Sequence, residues 1–274
     1  VPKTPEIELE EMLERFKADH EAKGLALSTE TKYSGGKVSE SNPLRIVTWF
    51  WNDPEAKNLA FFEWTPDHVH KLAAGFKRHL KIPHEFCVVT DRGSELDASK
   101  VRIIPMWDDL RNWKRCYTRL KAFSPEMYNT IGPRFVSVDL DTLIVGDITS
   151  IFDRPEPFVG YRDSKNPLCY SGALWMKDYE AENQVWETIR LVRALDLGEA
   201  RYVGSDQCWI TTAIGPKLRP RWSREDGIYD FWNIEGLPKL PENSKIIFFN
   251  GMTRDMSMKK FQDTCPWIEE HWKE

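Results

Sequence analysis

The chain has 274 residues, 41% hydrophobic, 30% charged and 12% aromatic, which is enough to bury a full core without disulfide or metal staples. Thirty-eight Lys and Arg against 43 Asp and Glu leave a net charge of −5, so there is no broad basic field for a nucleic-acid backbone. No apolar run approaches the ~20 residues of a membrane span, and cytoplasmic action is the expectation.

Thr4 and Pro5 cap and open a first helix, with Leu9, Met12, Leu13 and Phe16 on one face to about Lys23. Ser28 to Asn42 has no apolar period and contains Gly35 and Gly36, so residues 1–42 read as a helical appendage with a linker, expected to pair with a second copy or an upstream domain. From Pro43 the pattern changes to alternating strands and helices, and 43–274 reads as one α/β domain. Leu44–Phe50 is a strand. Thr65 and Pro66 open a helix carrying Val69, Leu72, Ala73, Phe76 and Leu80, and Glu85–Thr90 is the next strand. Strand, helix, strand in this order is the mark of a parallel sheet. Val101–Ile104, Arg134–Val138, Phe158–Tyr161, Ala173–Met176 and Lys245–Phe249 read as further strands. Trp113–Phe123, Ala181–Leu195 and Ser205–Ala213 read as helices, and a last helix from Met258 to His271 is interrupted at Pro266.

The five cysteines are odd in number, far apart and without C-x-x-C spacing, which indicates buried thiols in a reducing compartment rather than a zinc or disulfide site. His68 and His70 lack ligand-type partners at metal spacing and are expected in capping or surface roles. Twelve tryptophans belong mostly to the core, with flat faces left over for stacking.

The chemistry concentrates where Arg134–Val138 runs into Asp139, Leu140 and Asp141. In an extended chain residues two apart share a face, so Asp139 and Asp141 would present two carboxylates at the end of a buried strand. Oxygen-only donors suit a hard ion, Mg²⁺ or Mn²⁺, with positions open to phosphate oxygens. Strand C-terminal ends are where open α/β sheets bind their ligands.

Val138–Asp147 resembles the D-x-D segment of glycosyltransferase family 8, enzymes with the GT-A fold that use nucleotide-sugar donors. Cys116–Phe123 is similar to the helix that supplies a basic residue toward the donor, Tyr170–Trp175 to the N-S-G strand, Gly204–Cys208 to the D-Q helix start, and Ile246–Gly251 to the late strand that ends in histidine and glycine. The resemblance covers Pro43 to Trp272. It implies a GT-A fold, a Rossmann-like mixed, mainly parallel sheet flanked by helices. It also implies a metal-dependent hexosyltransferase taking a UDP-sugar to a glycan, lipid-linked, protein or small-molecule acceptor with retention.

On that resemblance Asp139, Asp141 and Asn250 are the metal ligands, with Asn250 where relatives have histidine. Gln207 faces the anomeric carbon, with Asp206 beside it binding hydroxyls; a dipole-complementing acid is the competing role for Asp206. Arg119, Lys121, Ser171, Gly172, Gly251 and Arg254 line the diphosphate and sugar, Arg254 where relatives have Lys-Pro-Trp. Thr48, Trp49 or Trp51, and Asp91 are placed toward the base. Trp222, Tyr229, Phe231 and Trp232 form an aromatic segment that is either an acceptor platform or a buried hinge. Two other readings stand beside this one. A hydrophobic D-x-D-T-L run is also the nucleophile motif of haloacid dehalogenase-type phosphohydrolases, although about three βα elements precede it here. The altered Asn250 and Arg254-Asp255-Met256 loop is compatible with a non-catalytic carbohydrate- or partner-binding scaffold.

Overall fold

The computed structural model describes residues 38–52, 64–108, 115–165, 169–193, 206–215, 220–249 and 256–274. The expected leading helix and most of the linker, with Asn250, Gly251 and Arg254, lie outside them.

Apolar residues alternate through the first strands, and that alternation builds the layers. In β1 (Leu44–Trp49), Leu44 and Ile46 face one side while Val47 and Trp49 face the other; in β2 (His84–Thr90), Phe86 and Val88 oppose Cys87 and Val89. Between them runs α1 (Pro66–His79). Thr65 precedes it, and its backbone N–H donates to His68 Nδ1 over 3.3 Å, while Lys77, Arg78 and His79 complement the dipole in the last turn. His70 Nε2 accepts from the Asp97 N–H at 3.2 Å, so His68 caps the helix while His70 ties it to the loop after β2.

The chain continues through β3 (Arg102–Pro105), a 3₁₀ helix over Arg115–Phe123, the short α2 (Met127–Thr130), β4 (Arg134–Val138), β5 (Thr142–Ile144) and α3 (Thr149–Phe152). It then forms β6 (Phe158–Arg162), β7 (Tyr170–Asp178), α4 (Gln184–Arg193), α5 (Asp206–Ile214), β8 (Arg221–Trp222) and β9 (Ile228–Asp230). β10 (Ile246–Phe248), α6 (Lys259–Thr264) and α7 (Trp267–His271) complete it, with Pro266 restarting the last helix as expected.

Seven strands form one mixed sheet in the order β3-β2-β1-β4-β7-β6-β8. The β1–β2, β1–β4, β2–β3 and β6–β8 pairs are parallel, and β7 runs antiparallel to both β4 and β6. A second sheet, β5-β10-β9, was not foreseen; its three-residue strands are too short to show a period. α1 and this small sheet cover one face of the large sheet, and the 3₁₀ helix, α4 and α5 cover the other. α6 and α7 close the outer face of the small sheet.

Two expectations about elements are corrected. The segment ending at Phe123 is 3₁₀ rather than α, because Tyr117, Leu120 and Phe123 recur every three residues and all pack into the same core cluster. The strand expected over Ala173–Met176 extends to nine residues, every one of them buried, which places Lys177 and Asp178 in the interior. All five cysteines are free thiols. No helix among the described residues is long and apolar enough to cross a membrane.

Candidate active site

β4 is buried throughout because both of its neighbours pair with it, and it ends where the chain must leave the large sheet for the small one. Asp139 still joins the ladder through its N–H to the Ala173 carbonyl (3.0 Å). The chain then turns: the Thr142 hydroxyl donates to the Asp139 carbonyl at 2.6 Å, and the Asp141 carbonyl accepts from Phe249 N–H at 2.8 Å, at the end of β10. Asp139 and Asp141 therefore flank a turn rather than sharing the face of an extended strand. The side-chain alternation used to place them does not apply, because the feed into β5 bends the backbone at Leu140.

Over this turn lies Arg119. Its 3₁₀ helix and α5 share one face of the large sheet, so the guanidinium reaches two carboxylates from distant parts of the chain. Nη1 pairs with Asp139 Oδ1, and Nη2 lies 2.7 Å from Asp206 Oδ2 at the start of α5. The Arg119 side chain is 6% exposed, that of Asp206 3%, and that of Asp139 27%, so the pair is closed off while Asp139 retains an open edge. Gly172 on β7 lies directly against them. A Cβ there would stand 3.0 Å from Arg119 Nη2 and 3.1 and 3.2 Å from the Asp206 oxygens, so a side chain would displace the ion pair. The close approach at Gly172 is thus to this pair.

Burial would lower the pKa of Arg119, but Asp139 and Asp206 outweigh it, with Asp141 adding to the same field, and the guanidinium is held above its ordinary value. The carboxylates shift the other way. Burial raises Asp139 to about 6 against the attraction of Arg119, with Asp206 adding to the rise, and burial raises Asp206 even though Arg119 and backbone N–H groups at the α5 start favour its charge. The attraction of Arg119 does not repay the desolvation of Asp139 and Asp206. Asp206 stands in the first turn of α5, the place of the dipole-complementing acid, and its pairing with Arg119 was not foreseen.

Lys121 is 7% exposed, with Nζ 5.7 Å from the centre of the Trp107 ring, which lies 6.0 Å from that of Trp49. Thr48 is fully buried and its hydroxyl donates to the Val138 carbonyl (2.9 Å); Trp49 Nε1 donates to Ser137 Oγ (2.8 Å). The polar atoms of both side chains thus hold β1 against β4. Trp51 is partly buried against the same aromatic group. Asp91 is exposed and accepts from Asn52 N–H at 3.0 Å, joining the chain ends that leave β1 and β2. Ser171 Oγ accepts from Ala173 N–H at 3.2 Å. Trp222 and Phe231 are fully buried core residues, whereas Tyr229 and Trp232 are partly exposed. The first two therefore present no free face for an acceptor platform.

Among the described residues no group of three His, Cys, Asp or Glu side chains is arranged to hold a metal. The donor chemistry nevertheless fits a hard divalent ion. Asp139 and Asp141 supply oxygen donors, and carboxylates outnumber the guanidinium three to one around Arg119. Asn250, the third expected ligand, lies outside the described residues.

Sequence reasoning missed Asp163, just beyond β6, whose Oδ2 accepts from Gln207 Nε2 at 3.3 Å. Its position after a buried strand on the ligand-binding rim was the available signal.

No protein-family model matches the chain, and no curated protein matches it in sequence. Solved structures do. The chain superposes on a galactosyltransferase, LgtC, in complex with donor and acceptor sugar analogs, with a TM-score of 0.55 at 9% identity over 84% of this chain and 97% of that one. An active-site mutant of LgtC gives 0.55 at 10% identity over 83% and 93%. The glycosyltransferase GlyE of Streptococcus pneumoniae TIGR4 gives 0.53 at 10% identity over 79% of this chain and 57% of its own. The chain has the GT-A fold of these glycosyltransferases.

Proposed function

We propose that this chain is a glycosyltransferase that moves a sugar from a nucleoside-diphosphate sugar, a UDP-sugar in the first instance, to a glycan or other hydroxyl-bearing acceptor with retention at the anomeric carbon. The observation that carries the reading is the convergence of Arg119, Asp139, Asp206 and Gly172. Four separate segments, each singled out by its own motif, meet at one point. The fold shared with LgtC, solved with donor and acceptor sugar analogs, supports it.

Departure of the diphosphate builds negative charge, so groups that stabilise anions there lower the barrier most. Asp139 and Asp141, with Asn250, would hold Mn²⁺ or Mg²⁺, which when bound neutralises that charge. Arg119 favours the charged forms of Asp139 and Asp206 and fixes them in position, and Lys121 and Arg254 are the cations assigned to the diphosphate. Gln207, at the start of α5, offers a weakly nucleophilic amide oxygen to the positive charge that develops at the anomeric carbon.

The test is thermal unfolding against a panel of nucleotide sugars with and without Mn²⁺, followed by nucleoside diphosphate release. A donor at ~100 times its dissociation constant adds about 2.7 kcal/mol of stability. A Mn²⁺-dependent shift with one donor, and loss of metal-stimulated turnover in folded Asp139→Asn and Asp141→Asn, is the expected result. Unchanged turnover in those variants overturns the assignment. The scaffold reading, which draws on Asn250 and the Arg254-Asp255-Met256 loop, predicts a shift without turnover under any metal.

A further inference from the structure

The hydrogen bond between Gln207 and Asp163 assigns a role to a residue that no motif marked. We infer that Asp163 is a positioning residue that fixes the side-chain amide of Gln207, so that its carbonyl oxygen is the end turned away toward substrate. This rests on the reading of Gln207 as the group facing the anomeric carbon.

An amide has a donating end and an accepting end of nearly equal size, so packing alone hardly distinguishes its two orientations. Charge does. A carboxylate such as that of Asp163 accepts, and Gln207 presents Nε2 to Oδ2 at 3.3 Å. Turned over, the amide would set Oε1 against a carboxylate oxygen. With Nε2 held, Oε1 necessarily points away from Asp163.

Asp163 is itself anchored well enough to impose this choice. Its Oδ1 accepts from the Lys165 N–H at 2.8 Å, and its backbone N–H donates to the Cys169 carbonyl at 3.1 Å, closing the connection between β6 and β7. Lys165 Nζ sits 4.1 Å from the centre of the Trp232 ring, which steadies the far side of the same turn. The base of Gln207 is fixed separately: the Thr211 hydroxyl donates to the Gln207 carbonyl (2.8 Å) and accepts from Tyr170 N–H (2.9 Å), tying the first turn of α5 to the start of β7. With backbone and amide nitrogen both held, the carbonyl oxygen keeps little freedom, and positioning of this kind is worth up to about a hundredfold in rate.

The test compares Asp163→Ala and Asp163→Asn with the parent chain by donor turnover and by ¹H–¹⁵N spectra of the Gln207 side-chain amide, assigned by its disappearance in Gln207→Ala. Asp163→Ala is expected to lower kcat about ten- to a hundredfold with KM for the donor unchanged, and to move the Gln207 amide resonances. Asp163→Asn keeps the acceptor for Lys165 N–H but sets an NH₂ where Oδ2 stood, so it should fold like the parent chain, turn the Gln207 amide over and lose kcat as Asp163→Ala does. Amide resonances that stay in place in folded Asp163→Ala or Asp163→Asn, or a change confined to KM, overturn the inference. If Gln207→Ala keeps full turnover, it is instead the underlying reading of Gln207 that has failed.

Discussion

Replacing Arg119 by methionine removes the one cation between Asp139 and Asp206 while nearly conserving volume. At 2.7 Å and an effective dielectric near 20, the Asp206 contact alone has a Coulomb energy of about 6 kcal/mol, much of it cancelled by desolvation. Removing one partner of such a buried pair costs about 3–5 kcal/mol net, because the other charge is left uncompensated. For a domain of this size that corresponds to a fall in Tm of roughly 10 °C. The pH dependence identifies the cause. Asp139 titrates near 6 in the folded chain against about 4 when unfolded, so its buried charge costs stability as pH rises through that window. Without Arg119 both carboxylates titrate higher still. The deficit of Arg119→Met should therefore be full above neutrality and shrink as pH falls toward 4. Adding Asp206→Asn to Arg119→Met should restore part of the loss. Urea denaturation of the single and double variants from pH 4 to 8 measures this. A deficit below about 1 kcal/mol, or one that does not vary with pH, would falsify the account of Arg119 as the cation that holds the cluster.

Gly172→Ala places a methyl group 3.0–3.2 Å from Arg119 Nη2 and the Asp206 carboxylate, so it should cost about 1–3 kcal/mol in urea and suppress donor turnover. Wild-type values for both would show that β7 does not press on the pair. Lys177 is fully buried, its Nζ donating to the Tyr179 carbonyl at 3.0 Å and lying 5.2 Å from the centre of the Phe123 ring. Burial lowers its pKa to about 7, against the pull of Glu182 and Asp178. Between pH 7 and about 10 the unfolded chain then binds more protons, so stability should rise with pH, by on the order of 1 kcal/mol per unit at most. Lys177→Met should abolish that rise without destabilising the chain at pH 7; an unchanged slope would assign it to other groups.

Much of the architecture was legible from period alone. Buried strands with residues such as Val136 and Val138 on one face and Phe135 on the other, and a helix of Val69, Leu72, Ala73 and Phe76, must alternate in layers, because each buries its apolar side only against the next. The motif segments were legible too, since Asp139, Asp206, Gly172 and Arg119 each belong to a recognisable local pattern. Other features have no local signature. The small sheet depends on pairing between Thr142–Ile144 and Ile246–Phe248, about a hundred residues apart, and strands of three residues carry no period. Thr48 and Trp49 read from sequence as residues at a strand end toward a ligand, and only β4 laid beside them shows where their polar atoms go. The D-x-D turn is bent by where the chain must go next, and the bond between Asp163 and Gln207 exists only because β6 and α5 meet. Local sequence determined which residues have the chemistry for this site and how each strand and helix buries its own apolar face. Tertiary structure decided which of those charges share one buried cation and which polar atoms are consumed in holding the sheet, because pairing across long sequence separations and the desolvation it imposes arise only when the layers close.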